Sequence, residues 1–394
     1  MLSRPRAALQ LGAILALLLA VAAGVLFALD GGSDATEQLQ APQATETAAT
    51  PTALGPVATP SPTPLPTPLP TTSAPGIYYV SRDGSVLRRL VSDEDISHGD
   101  LSPDGTEVIY SRGMDVAATN VQTGETRVVV EVPVPGYIGT PSWSSTGQYI
   151  TFWMDEDGGD KATWIVNRDG SGLRRFMAGD ENVSVADWLP DDSGALVFSK
   201  HLVGESDSLP PRNIFLLTIK GDLQGPLALY HPCYCGGGGV APIVSPDGRY
   251  AAFSDHTYDV HLIDLRRSTS ENLTQSVGAE TLLGWLPDSS ALVFVVKDRT
   301  TNRGPIFRFD VDDGSLTRME RFSSEIAPDG SQIEVGVFRV CGLWTTDLHI
   351  YTPTGERVNL TNGRIPDQWH LNDAQWLPDG SGIVFTASRW KPCN

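Results

Sequence analysis

Ser102-Pro103-Asp104-Gly105, followed by the apolar run Val108-Ile109-Tyr110, decides how this chain folds. Proline presets φ for the first corner of a turn, and Asp and Gly tolerate the rest of it, including a left-handed residue. A short β-branched or aromatic run after such a turn reads as a strand. The string is therefore one β-hairpin corner. Outward along the chain it returns as Ser144-Ser145-Thr146-Gly147 with Tyr149-Ile150-Thr151-Phe152, and as Leu189-Pro190-Asp191 with Leu196-Val197-Phe198. It returns again as Ser245-Pro246-Asp247-Gly248, Leu286-Pro287-Asp288-Ser289 with Leu292-Val293-Phe294, Ala327-Pro328-Asp329-Gly330, and Leu377-Pro378-Asp379-Gly380 with Ile383-Val384-Phe385. That makes seven copies, spaced 41 to 56 residues apart. Trp143, Trp188, Trp285 and Trp376 hold the same place just before the turn, and the second copy lacks both Pro and Asp.

A second strand–turn–strand unit sits between the copies. Thr163-Trp164-Ile165-Val166 leads through Asp169-Gly170, and Ile306-Phe307-Arg308-Phe309 leads through Asp313-Gly314. Val260-His261-Leu262-Ile263 and Leu348-His349-Ile350-Tyr351 belong to the same class. Two hairpins per period make a four-stranded sheet, the unit of a propeller blade. The Pro-Asp-Gly hairpin supplies strands A and B of a blade, counted from the centre outward, and the next hairpin supplies C and D.

These repeats resemble the TolB-like, WD-repeat-like propeller family, over nearly all of residues 76–394. That family is six-bladed, so the resemblance taken alone implies six blades. The copies in this chain predict seven. The last copy, at Pro378, has no hairpin after it, and an orphan hairpin, Ile77-Tyr78-Tyr79-Val80 to Leu87-Arg88-Arg89-Leu90, precedes the first. The two ends should therefore share the last blade and close the ring, which pairs edges otherwise exposed. A six-bladed or open ring is the alternative. The resemblance also implies an interaction module for envelope partners, a role carried by analogy of fold.

Ahead of the propeller, Arg4 and Arg6 precede an uncharged run from Ala7 to Leu29. Its length suits a helix crossing a bilayer, with the rest of the chain exported. Residues 1–29 thus read as a signal anchor, and a cleaved signal peptide is the competing reading. No cysteine follows the run for a lipid anchor. Residues 30–75 are rich in Thr, Pro and Ala and read as a disordered stalk.

The formal net charge is −19 and the pI about 4.6. That excludes non-specific nucleic-acid binding, which needs a basic footprint. Three connections on the face opposite the Pro-Asp-Gly turns are acidic: Asp93, Glu94, Asp95 and Asp100; Asp155, Glu156, Asp157 and Asp160; Asp180 and Glu181. They read as a negative patch for a basic partner or a hard cation such as Ca2+, or as solvated polar loops. No complete EF-hand spacing is present.

All four cysteines lie in the exported part, where disulfides are permitted. Cys341 and Cys393 each follow strand B of neighbouring blades, which predicts a disulfide between them. His231, Cys233 and Cys235 are a weak candidate soft-metal site; a Cys233–Cys235 disulfide or two free thiols are the other readings. Asn182, Asn272 and Asn359 each open an Asn-x-Ser/Thr triplet. No G-x-S-x-G elbow or metal-binding histidine motif occurs. The sequence thus points to a binding or scaffolding propeller without a cofactor. A propeller hydrolase or lyase with its site in the central tunnel is the alternative, and a ligand sensor a third reading.

Overall fold

The computed structural model describes residues 74–394, except residues 94–95, 97, 132–137, 156–160, 178–182, 200–211, 231–239, 256, 275–278, 298–303, 324, 341–342, 367–368 and 390–394. The expected anchor and all of the expected stalk but residues 74–75 lie outside them. Among the described residues no helix is long and apolar enough to cross a membrane.

Strands pair into seven antiparallel sheets in which consecutive strands are neighbours, as in a propeller. Blade 1 comprises A (Asp100–Leu101), B (Glu107–Arg112), C (Asp115–Asn120) and D (Thr126–Glu131). Blade 2 runs through Ser142–Trp143, Tyr149–Asp155, Lys161–Asn167 and Arg174–Arg175. The next three blades begin with strands A at Val183–Trp188, Val240–Val244 and Ala279–Trp285. Blade 6 departs from the expected four strands. Its sheet is Gln332–Val340, Leu343–Tyr351 and Arg357–Asn359, and its strand A shrinks to a bridge between Ile326 and Gln332. The run Glu320-Arg321-Phe322-Ser323 before that bridge lacks the apolar alternation of the other inner strands.

Blade 7 closes the ring in the predicted way. Its order is Trp369–Trp376, Gly382–Arg389, Gly76–Ser81 and Leu87–Ser92. Ile77 pairs with Thr386, Tyr79 with Val384 and Ser81 with Gly382. Ile77 and Val80 are fully buried in this joint, and Tyr78 stacks on Phe385 with ring centroids 5.8 Å apart. Burying side chains of this size stabilises by roughly 1.5–3 kcal/mol each, so the terminal strands are part of the core.

The turn motif earns its residues. In blade 1 the Gly105 N–H donates to Ser102 O at 2.7 Å. Ser102 Oγ donates to Asp104 and accepts from the Thr106 and Glu107 amides. Burial alone would raise the Asp104 carboxyl, but hydrogen bonds from Arg168, Ser102 and Thr106 hold it well below the usual range. Gly105 needs its φ of +71°, and a Cβ there would come within 2.5 Å of Pro378 Cδ. Glycine at this corner therefore lets the turn lie against the proline of the preceding blade. Gly147 meets Pro103, Gly248 meets Pro190, and Gly380 meets Pro328 in the same manner.

Blades pack face to face through buried apolar clusters. Ile109, Val116 and Ala118 of blade 1 meet Trp143, Ile150 and Phe152 of blade 2. Ile77, Val91 and Val384 of blade 7 meet Val108 and Tyr110 of blade 1. The tryptophan before the turn joins blades as well: Trp188 stacks on Tyr149 of the preceding blade at 6.1 Å, and Trp285 on Tyr250 at 6.4 Å.

Candidate functional site

Strands A lie nearest the axis. Asp100 of blade 1 and Asp187 of blade 3 line one cavity although blade 2 stands between them, which only converging inner strands allow. In four copies the residue three places before the turn proline reaches the neighbouring inner strand. Asp100 Oδ2 accepts from the Trp143 amide of blade 2 at 2.7 Å and from Ser142 Oγ at 3.2 Å. Asp187 Oδ2 accepts from the Val244 amide of blade 4 at 2.7 Å. The Glu325 carboxylate bonds the Trp376 main chain of blade 7. Gln375 Oε1 accepts from the Leu101 amide at 2.8 Å while its Nε2 donates to Asp100 Oδ1 at 3.1 Å. Four side chains from equivalent repeat positions thus tie blade 1 to 2, 3 to 4, 6 to 7 and 7 to 1.

Burial sets the electrostatics of this row. It pushes the Asp187 carboxyl up to about 6 against two backbone hydrogen bonds. It pushes Glu325 up to about 7, opposed by the Trp376 main chain and helped by the charge of Asp100. Asp100 is raised too, chiefly by burial, with Asp373 contributing. His98 Nδ1 lies 3.1 Å from Asp373 Oδ2 at the margin of this group.

The cavity, of ≈ 330 Å3, is bordered by the inner strands of blades 1, 2 and 3. It exists because blade 2 breaks the repeat. Its turn Ser144-Ser145-Thr146-Gly147 has neither proline nor carboxylate. Asp192 of the blade 3 turn supplies one instead. Ser144 Oγ donates to Asp192 Oδ2 at 2.6 Å, the Thr146 amide donates to Oδ1 at 3.0 Å, and Thr146 Oγ1 also donates to Oδ2. Asp192 sits at φ +56°, where most copies carry glycine, and it faces Ser145 where the preceding blade would carry proline.

Of the residues singled out from sequence, Asp100 stands on strand A instead of in the loop before it, and its carboxylate joins blades at the axis. It is thereby separated from a loop patch. Asp93 directly follows strand D of blade 7, and Asp155 ends strand B of blade 2. Glu94, Asp95, Glu156, Asp157, Asp160, Asp180 and Glu181 lie outside the described residues, as do Cys341, Cys393, His231, Cys233 and Cys235. Among the described residues no group of three or more His, Cys, Asp or Glu could hold a metal ion.

Sequence reading missed Asp187, Glu325, Gln375 and Asp192. The first three share one signal, a carboxylate or amide three residues before the turn proline, visible once the copies are aligned. The Asn-Leu-Thr triplets resolve into clamps. Asn359 Nδ2 donates to Asp347 Oδ2 at 3.0 Å and Thr361 Oγ1 to Oδ1 at 2.7 Å. Asn272 and Thr274 engage Asp259 in the same way.

No family model and no curated protein matches the chain. Solved structures do share its architecture. TolB from Acinetobacter baumannii is 16% identical with a TM-score of 0.37, covering 63% of this chain and 65% of that one. The chain therefore spans just under two thirds of that relative's length. A putative TolB from Agrobacterium tumefaciens is 15% identical with a TM-score of 0.43, covering 81% and 99%. An oligogalacturonate lyase in complex with manganese is also 15% identical, with a TM-score of 0.45, covering 77% and 80%. At these values the fold rests on the strand pairing in this chain, and that pairing makes it a seven-bladed β-propeller similar to the TolB structures.

Proposed function

We propose that the chain is a non-catalytic binding propeller, carried outside the cytoplasmic membrane on an N-terminal anchor and stalk, that engages a protein partner of the cell envelope. One observation carries the non-catalytic part. The buried carboxylates nearest the axis, where a propeller enzyme would gather its acids and bases, accept main-chain amides of neighbouring blades. An acceptor committed to joining blades is poorly placed to shuttle protons to a substrate. The acidic connections and the net charge of −19 favour a basic partner. The Cys341–Cys393 pairing belongs to this reading as a staple for the C-terminal tail.

Crosslinking the intact chain in its own membranes, then identifying what co-purifies, tests the proposal. A defined envelope protein should be captured by the whole chain and be absent with residues 1–75 alone. Equal recovery with both would sink the binding role.

A second reading has one observation in its favour: Asp187 titrates at about 6 beside a cavity, the range suited to general acid–base work. Turnover of a polysaccharide or peptide that vanishes in Asp187→Asn would establish the enzyme. For the cation version of the acidic loops, calcium should raise the melting temperature, and an unchanged melt removes it.

A further inference from the structure

The cavity between blades 1, 2 and 3 has a composition that selects its occupant. Asp100 and Asp187 flank it from opposite blades, and no Lys or Arg is among the described residues that line it. The hydrogen bonds these carboxylates accept come from neutral groups: Trp143 N, Ser142 and Gln375 for Asp100, and Val244 N and Trp188 N for Asp187. Two half-buried carboxylates thus share one cavity without a cation among the described residues, an arrangement that a positive group would stabilise. Trp143, Trp153 and Trp188 supply aromatic surface, and Thr140, Ser142 and Ser184 supply hydroxyls. Leu101, Val185 and Ala186 add apolar wall beside the carboxylates, which favours an organic cation with an apolar stem over a hydrated metal ion.

The indoles add an independent observation. Trp143 and Trp188 are 5% and 4% exposed, and neither Nε1–H has an acceptor among the described residues. At the equivalent repeat position Trp285 Nε1 donates to Ile243 O of the preceding blade at 3.0 Å. Trp376 shares the orphaned indole away from this cavity, so the indoles speak for an occupant only together with the carboxylates. A ligand that brings a cation for the carboxylates and carbonyl oxygens for the indoles is a basic residue within a polypeptide.

We propose that this cavity seats an arginine or lysine side chain of the partner polypeptide, between Asp100 and Asp187. The inference rests on the binding reading above and names the chemistry of its partner. The irregular turn of blade 2 then has a use: a regular copy would bring a proline to the cavity wall in place of Ser145.

The test uses the full chain and four probes followed by tryptophan fluorescence or calorimetry: acetyl-Gly-Arg-Gly-amide, its lysine and glutamine counterparts, and agmatine. The arginine or lysine peptide should bind saturably, with the glutamine peptide and agmatine weaker by about tenfold or more. Asp187→Asn keeps the acceptor for Val244 N and should lose about tenfold or more above pH 7, where the variant is at least as stable as the wild type. Ser184→Trp fills the cavity without touching either carboxylate and should abolish binding. Equal binding of the basic and glutamine peptides, no saturation at millimolar concentration, or wild-type affinity in Ser184→Trp would overturn the site. Agmatine binding as tightly as the arginine peptide would overturn the polypeptide assignment. A membrane partner captured equally by wild type and Ser184→Trp would overturn the cavity and leave the binding role standing, whereas capture of nothing by either would count against the binding role itself.

Discussion

Blades 7 and 2 flank blade 1 and meet it by the same contacts, a turn glycine against a turn proline and an inner side chain on a main-chain amide, yet the two blades are built differently. Blade 7 is assembled from the two ends of the propeller sequence, yet its turn is regular, its strand A is eight residues long, and it meets blade 1 through Pro378 against Gly105 and Gln375 against Asp100. Blade 2 is continuous in sequence, yet its strand A has two residues and its turn borrows a carboxylate from Asp192 of blade 3. Continuity of chain is therefore not what makes a good joint. What persists around the ring is a hydrogen-bond and packing pattern, and different residues fill it. Where the pattern is filled from the next blade, a cavity remains.

The largest effect should come from breaking blade 7. Deleting residues 76–92 removes the buried Ile77, Tyr78 and Val80 and bares the edge of Gly382–Arg389. The expected result is loss of the cooperative melt, read by calorimetry. If blade 7 were an appendage, the melting temperature would barely move.

Breaking blade 2 should cost less. Asp192→Ala strips Ser144 and Thr146 of their shared acceptor and leaves a left-handed alanine, for about 2–3 kcal/mol in urea denaturation. Restoring the repeat in both turns at once, with Ser145→Pro, Thr146→Asp and Asp192→Gly, should recover most of that loss. A triple variant no more stable than Asp192→Ala would contradict the idea that Asp192 replaces the missing turn aspartate.

The inner row sharpens the comparison through pH. The Asp187 carboxyl is raised from 3.8 to about 6, so the folded chain holds its proton where the unfolded chain has lost it. The stability this contributes is complete below about pH 4 and fades as pH rises through 6. A shift of this size corresponds to about 3 kcal/mol at most. Asp187→Asn should flatten the stability profile between pH 4 and about 7 and be relatively more stable above it, which melts in a pH series will show. An unchanged slope in the variant would refute the assignment.

The smallest effect belongs to the outer clasps. Arg168 of blade 2 reaches Asp104 of blade 1 at 2.7 Å and lies over Trp143, and Arg82 of blade 7 pairs with Asp329 of blade 6 over Trp376. Both arginines are about one-third exposed. Arg168→Ala and Arg82→Ala should each cost about 1 kcal/mol or less, and similar amounts, since these clasps follow one repeat position on both sides of the ring. A cost several times larger in one of them would show that the blade 1–2 and blade 6–7 joints differ in the clasp.

Much of this was legible in the sequence. The Pro-Asp-Gly copies with their following apolar runs located the A–B turns, and the orphan hairpin at Ile77 disclosed the shared blade. A local string encodes a local turn, so one-dimensional reading reached it. Three features escaped. The short inner strand of blade 6 depends on missing apolar residues before Ile326. The partnership of Asp192 with Ser144 joins positions in different blades, and only the ring brings them together. The axial row of Asp100, Asp187, Glu325 and Gln375 looked like ordinary variation, because the other three copies carry Ser142, Ile243 and Gly284 at that place. Asp100 was for that reason grouped with the loop before it.

Amide hydrogen exchange tests the ring itself most directly. If the chain ends share blade 7, the amides of Gly76–Ser81 and Gly382–Arg389 belong to one cooperative unit, and their protection should be alike and fall together as denaturant is added. Rapid exchange across Gly76–Ser81 beside lasting protection across Gly382–Arg389 would contradict closure.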